Sequence, residues 1–116
     1  SISGALIIDD SYNANPASMA AALHALNATK ASRRIAVLGV MAELSEPEQD
    51  HLQISRLAKQ LGIEVIAVET DMYEVQSRTR DEVAAMLATV ENTATILIKG
   101  SRVAQLEKLI AILTTP

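Results

Sequence analysis

Three short stretches of the sequence gather groups able to do chemistry, and each comes after a run of apolar residues. IDDSYNANP, residues 8–16, sets two adjacent carboxylates, Asp9 and Asp10, beside Tyr12, Asn13 and Asn15 and ends in a proline. MAEL, residues 41–44, comes after VLGV, and His51 stands further on. KGSR, residues 99–102, supplies two cations, a glycine and a hydroxyl. At a helix start, Lys99, Ser101 and Arg102 suit a carboxylate or a phosphate. Arginine grips such groups bidentately, and the free amides of a helix N-terminus add a favourable dipole.

Each of these residues also has a structural role open to it. Asn15 and Ser101 are natural helix N-caps whatever else they do. Asp9 and Asp10 could form a solvated strand end, and Glu43 and Glu46 a solvated loop. His51, early in a helix, reads as a surface or capping histidine; His24 belongs to another element, so no histidine pair at helical spacing supports a metal. VLGVMAEL is not G-x-G-x-x-G, and the chain contains no G-x-x-x-x-G-K-[ST] phosphate loop. No Ser-His-Asp or Cys-His set is present to propose as a nucleophilic centre. From the residues alone the reading is an anion-binding α/β domain.

The elements that must position these clusters alternate. Residues 5–8 form a short apolar run, as expected of a buried parallel strand. Met19, Ala22, Leu23 and Leu26 then mark an amphipathic helix, with Asn15 at its N-cap and Pro16 at its first position. RIAVLG, residues 34–39, is a second strand. The next helix runs from near Ser45, where Ser45 and Glu48 fit a capping box; its stripe is Ile54, Leu57, Ala58 and Leu61, and Gly62 closes it. IEVIAV, residues 63–68, is a third strand. Tyr73 and Val75 alternate with polar residues and predict a short edge strand, with no room for a crossover helix over residues 69–80. Thr79 and Glu82 suggest another capping box ahead of Val83, Met86, Leu87 and Val90. TILI, residues 95–98, is the last strand, and Leu106, Leu109, Ile110 and Leu113 mark the final helix. Such alternation predicts a Rossmann-like three-layer α/β domain, a mainly parallel sheet flanked by helices. Ligands of that architecture bind beyond the carboxyl ends of the strands, which is where all three clusters fall.

Composition narrows the function classes. A chain of 116 residues is one domain, 1–116, and its core must come from Ile, Leu, Val, Ala and Met because Phe, Trp and Cys are absent. A net charge of −4 with scattered Lys and Arg gives no footprint for nucleic acid. No apolar run approaches a bilayer span and no signal-peptide pattern is present. The absence of cysteine is compatible with the cytoplasm. The first residue is Ser1, without an initiator Met, so a fragment of a longer protein is expected.

Taken together and in order, DDSYNANPASMAAAL, VLGVMAEL with His51 downstream, and ILIKGSR before the last helix resemble the C-terminal domain of the Mur ligases over nearly the whole chain. The resemblance implies three domains in the whole enzyme: one for the UDP-sugar, a central ATPase domain carrying the phosphate loop, and this one. The matched motifs imply an ATP-dependent ligase joining D-alanyl-D-alanine to UDP-N-acetylmuramoyl-tripeptide through an acyl phosphate, in the cytoplasm and as a monomer, with no nucleic-acid or membrane partner. ATP and Mg2+ are the implied cofactors, the Mg2+ ligands lying in the central domain. The present domain would close over the site and be inactive alone. By the same resemblance Asp10 is the acidic residue of the nucleotide site, Tyr12, Asn13 and Asn15 surround adenine and ribose, and Lys99, Ser101 and Arg102 face the dipeptide or the peptidyl substrate. His51 matches a family position without an assigned chemistry. The sequence departs from the family at Val40, where an aspartate is usual, and at Ser45, where a glycine is usual.

Two other readings stand beside this one. A phosphoacceptor receiver domain also carries an acidic pair after its first strand and a lysine after its last, which Asp9, Asp10 and Lys99 imitate. It needs an acceptor aspartate ending the middle strand, and Asp71 comes several residues late. A stand-alone binding module of the same fold is the third.

Overall fold

The structure, a computed structural model, describes residues 6–10 and 14–114. Among them, five strands build one sheet in the order β1-β5-β2-β3-β4, every pairing parallel. The strands are β1 (Leu6–Asp10), β2 (Arg34–Leu38), β3 (Glu64–Val68), β4 (Ser77–Arg78) and β5 (Thr95–Lys99). The helices are α1 (Pro16–Asn27), α2 (Pro47–Gln60), α3 (Arg80–Leu87) and α4 (Glu107–Thr114), with a 3-10 turn at Arg102–Ala104. The expected three-layer parallel α/β domain is the one that forms.

Strand side chains alternate between two cores because successive residues point to opposite faces of a sheet. Ile35, Val37, Ile66, Val68, Ile96 and Ile98 pack with α3 and α4 residues such as Leu87 and Leu109. Ala36, Leu38, Ala67 and Leu97 pack with Met19 and Leu23 of α1 and Ile54 of α2. β5 lies between β1 and β2 and all five of its residues are buried. That position explains the apolar run Ile96, Leu97 and Ile98, and each such side chain withdrawn from water contributes about 1.5–3 kcal/mol.

This strand order overturns the receiver reading. In the flavodoxin-like order 2-1-3-4-5 the first strand is flanked on both sides. Here β1 pairs with β5 alone among the described residues.

Two of the three expected capped starts are as read. Asn15 accepts from the Ser18 amide at 2.9 Å, and Ser18 Oγ accepts in return from the Asn15 amide at 3.1 Å. Thr79 and Glu82 make the same reciprocal pair at 3.1 and 2.9 Å. The third is corrected. α2 begins at Pro47, whose preset φ suits the first helical position, so the cap position falls to Glu46, which makes no side-chain cap, and Ser45 lies one residue too early. Gly62, at φ +71°, closes α2 in the left-handed conformation that favours glycine.

The edge strand is also displaced. It is Ser77–Arg78, not the Tyr73–Val75 region. Tyr73 and Val75 alternate with polar residues because both turn into the core beneath α1 and α2. As expected, no helix occurs between β3 and β4, and a short turn-rich connection makes this parallel crossover.

Two carboxylates tie this fold to pH. Arg33 donates to both oxygens of Glu64 at 2.7 and 2.8 Å, and that bond holds the Glu64 carboxyl below its ordinary value. The Thr79 backbone amide does the same for Glu82. A carboxyl depressed in the folded state contributes stability that is complete above the unfolded value, 4.5, and lost as pH falls below it. The denaturation midpoint is therefore expected to drop on going from about pH 7 to about pH 3.5. The drop should be smaller in a Glu64→Gln, Glu82→Gln variant, and urea titrations at the two pH values check it.

Candidate functional site

A wholly parallel sheet delivers the carboxyl ends of its strands to one edge, so residues far apart in sequence become neighbours there. Asp10 is the register partner of Lys99 on one side, and Leu38 is its partner on the other. Beyond β2 and β5 the chain continues the ladder: the Gly39 amide donates to Lys99 O at 2.9 Å and the Ser101 amide to Val40 O at 3.0 Å. The segments after β2 and β5 are thereby one paired unit.

Two glycines make this pairing possible. A Cβ on Gly39 would stand 2.6 Å from the Ala104 Cβ. One on Gly100 would stand 3.0 Å from the Gly39 Cα and 2.8 Å from Leu106 Cδ1. The Ala104 methyl is rigid, so Gly39 has no room for a side chain, whereas at Gly100 the Leu106 side chain and the Gly39 backbone would have to shift to admit one.

A buried polar pair holds the segment after β2 from behind. Tyr73 Oη donates to Gly39 O at 2.7 Å, and the Met41 amide donates to His51 Nε2 at 2.8 Å. Because Nε2 accepts, the proton of neutral His51 sits on Nδ1, which lies 2.5 Å from Pro47 O and donates to it. The two rings meet edge to face, centroids 4.9 Å apart. Both residues are fully buried, and burial pushes the Tyr73 phenol pKa upward, keeping it a donor. The expectation of a surface or capping histidine is corrected: His51 closes the loop between β2 and α2 from inside.

The residues expected from sequence lie at different depths. Lys99 and Ser101 are buried, at 2% and 5% exposure, whereas Arg102 is exposed. The Ser101 hydroxyl is buried and has no hydrogen-bond partner among the described residues. Ser101 occupies an N-cap position but makes no side-chain cap, and the element it precedes is the 3-10 turn rather than a helix. The expected helix-start dipole at this cluster is therefore corrected. Gln105, at φ +53°, redirects the chain into α4. Asp10 ends β1, and Asn15 is exposed and caps α1. Tyr12 and Asn13 lie outside the described residues.

The structural contributions of four residues went unread in the sequence. Tyr73 had one available signal, an aromatic in a chain with only 2% aromatic residues, set in a connection too short for a helix. Gly39 and Gly100 show their close approach only once the strand order is known. Arg80 bonds Ala104 O at 3.0 Å and Glu69 Oε1 at 3.3 Å, fastening the 3-10 turn to the chain after β3.

At the opposite edge of the sheet, one shallow concavity is lined by Ser55, Arg56, Lys59 and Glu64, and another by Lys30, Ser32, Asn92 and Thr95. The carboxyl-end edge is the better candidate site. It combines basic side chains, a buried hydroxyl without a partner among the described residues and the end at which parallel α/β sheets bind ligands. No group of three or more histidine, cysteine or acidic side chains suited to a metal occurs among the described residues.

Comparison with known proteins identifies the family and the fold. The family described as "Mur ligase, glutamate ligase domain" matches residues 1–102. The UDP-N-acetylmuramoyl-tripeptide–D-alanyl-D-alanine ligase of Escherichia coli K12 is 36% identical over 90% of this chain and 26% of its own length. The enzyme of that name from Mycobacterium tuberculosis H37Rv is 48% identical over 56% of this chain and 14% of its own. Among solved structures, MurF ligase from Thermotoga maritima in complex with ADP superposes with a TM-score of 0.79 at 25% identity, over 97% of this chain and 29% of that one. The Acinetobacter baumannii UDP-N-acetylmuramoylalanyl-D-glutamyl-2,6-diaminopimelate–D-alanyl-D-alanyl ligase gives a TM-score of 0.82 at 30% identity, over 97% and 27%. The chain thus spans about a quarter of the length of the E. coli relative.

The glycine contact yields a direct test. Gly39→Ala is expected to lower stability by about 1–3 kcal/mol through overpacking. Adding Ala104→Gly, which removes the methyl at 2.6 Å, should restore part of it. Thermal melts of the two variants check the pair.

Proposed function

This chain belongs to the Mur ligase family, and from that premise we propose that it is the C-terminal domain of the ATP-dependent ligase adding D-alanyl-D-alanine to UDP-N-acetylmuramoyl-tripeptide in peptidoglycan precursor synthesis. The observation that carries this reading is the meeting of the three polar segments at one sheet edge, in a chain whose curated relatives bear that enzyme's name. On this reading the edge closes over the ligands held by the rest of the enzyme. The enzyme works in the cytoplasm as a monomer, without nucleic-acid or membrane partners. Among the described residues no helix is long and apolar enough to cross a membrane.

The two halves of the edge divide the labour. Asp10, with Tyr12, Asn13 and Asn15, serves the nucleotide. Asn15 Oδ1 is engaged by the Ser18 amide, so its contribution to ATP comes from the amide nitrogen side or from the turn it anchors. Lys99, Ser101 and Arg102 serve the dipeptide or the peptidyl substrate. Arg102, exposed on the 3-10 turn, is the group placed to grip a carboxylate. The Ser101 hydroxyl, buried and without a partner among the described residues, is a donor whose bond an incoming anionic oxygen would complete. Lys99, the last residue of β5, is buried. These groups fit an anionic ligand. Mg2+ supplies charge neutralisation on the transferred phosphoryl group in such chemistry. By the family resemblance its ligands lie in the central domain.

Kinetics of the ligase containing this chain separate the halves. Arg102→Ala should raise the KM for dipeptide or peptidyl substrate by a factor corresponding to about 1.5–3 kcal/mol, the worth of a charge-assisted hydrogen bond. A rise in the KM for ATP alone would refute the division. Asp10→Asn should impair ATP use and leave the melting midpoint unchanged; a lowered midpoint with normal ATP kinetics would make Asp10 scaffold. The purified 116-residue chain, whose sequence holds no phosphate loop, should release no phosphate from ATP above blank.

A further inference from the structure

We propose that Tyr73 and His51 are positioning residues for the substrate half of the edge, acting on Lys99, Ser101 and Arg102 through the backbone of residues 39–41. Neither belongs to the polar clusters, and both are fully buried, so neither touches a ligand. Their hydrogen bonds nevertheless converge on one segment. Tyr73 Oη reaches Gly39 O at 2.7 Å, and His51 Nε2 holds the Met41 amide at 2.8 Å. Between those two anchors, Gly39 N and Val40 O make the cross-links to Lys99 O and the Ser101 amide. The chain of contacts is therefore continuous: ring pair, segment after β2, then the two backbone bonds that set the height and tilt of Gly100 and Ser101.

The segment 39–41 lies outside helix and strand. It begins where β2 ends at Leu38, and Glu43 takes a left-handed backbone at φ +58°, a conformation disfavoured for a side chain bearing Cβ. Val40 contributes its backbone groups rather than a polar side chain, in a position where the resembling family usually has an aspartate. Fixing the segment thus falls to residues arriving from two other elements, Tyr73 from the connection between β3 and β4 and His51 from α2. Loss of the Tyr73 hydroxyl would leave Gly39 O without its buried donor while keeping the ring packed on His51.

The proposal rests on the assignment of Lys99, Ser101 and Arg102 to the dipeptide or peptidyl substrate, and its test separates the two. In the ligase containing this chain, Tyr73→Phe should raise the KM for that substrate about tenfold, leave the KM for ATP unchanged, and speed hydrogen exchange at the Gly39 and Ser101 amides while sparing those of Leu97 and Ile98. His51→Ala should act in the same direction, and His51→Gln, which keeps an acceptor for the Met41 amide, should recover part of the loss. Arg102→Ala is measured alongside. If Arg102→Ala leaves both substrate KM values unchanged, the substrate assignment fails, and exchange at Ser101 alone then decides whether the pair positions this edge. If Arg102→Ala raises the substrate KM and Tyr73→Phe changes neither that KM nor exchange at Ser101, the positioning role is overturned. A lowered melting midpoint in Tyr73→Phe with normal kinetics and normal Ser101 exchange also overturns it, since the hydroxyl would then serve only general stability.

Discussion

The approach of Gly39 to Gly100 is the constraint on which the carboxyl-end edge depends. A Cβ on Gly100 would lie 3.0 Å from the Gly39 Cα and one on Gly39 would lie 2.6 Å from the Ala104 Cβ, so both glycines favour the close packing of the segments after β2 and β5. The ladder bonds from Gly39 to Lys99 and from Ser101 to Val40 result from that closeness. They carry the backbone register of β2 and β5 into the loops where cations and hydroxyl stand. Without the contact, Ser101 and Arg102 would sit on an unpaired loop, and their geometry relative to Lys99 at the end of β5 would be set by solvent and entropy rather than by the sheet.

Around that contact the molecule uses apolar burial for stability and a few buried polar bonds for placement. The two cores are aliphatic and tolerant by nature, since hydrophobic contact is not directional. The bonds of Tyr73, His51 and Arg80 are directional, and each ends on a backbone group near the same edge: Gly39 O, the Met41 amide and Ala104 O. A buried acceptor stripped of its donor costs about 1–3 kcal/mol, so each of these bonds strongly favours one loop position over its alternatives. The edge is in that sense prepared before a ligand arrives. The Ser101 hydroxyl is left over, buried and without a partner among the described residues.

Much of this was legible in the sequence, for reasons that particular residues make plain. The strands and helices were readable because their apolar periods are clean and because Asn15, Thr79 and Gly62 punctuate them with local chemistry. The edge itself was readable as a cluster of polar residues at strand ends. The features that escaped depended on tertiary contact. Ser45 and Glu48 satisfy a capping pattern, yet Pro47 starts the helix one residue later than that pattern requires. Tyr73 and Val75 imitate a strand because a core-facing alternation looks the same whether or not a ladder forms. His51 carries no local sign that its ring faces inward, and the glycine contact joins residues that only the strand order β1-β5-β2 brings together. The Ser101 position misled for a related reason: its pattern matches a helix start, while Gln105 at φ +53° interrupts the chain and leaves only a 3-10 turn.

The proposed binding of ligands at the carboxyl ends of the strands makes a direct physical demand on the backbone there. Hydrogen–deuterium exchange of the ligase containing this chain, with and without a non-hydrolysable ATP analogue and D-alanyl-D-alanine, tests it most directly. Protection is expected over residues 9–15, 39–41 and 99–102, with none over residues 30–32, 62–65 and 92–95 at the opposite edge. Protection confined to those opposite segments, with the carboxyl ends unchanged, would contradict the account.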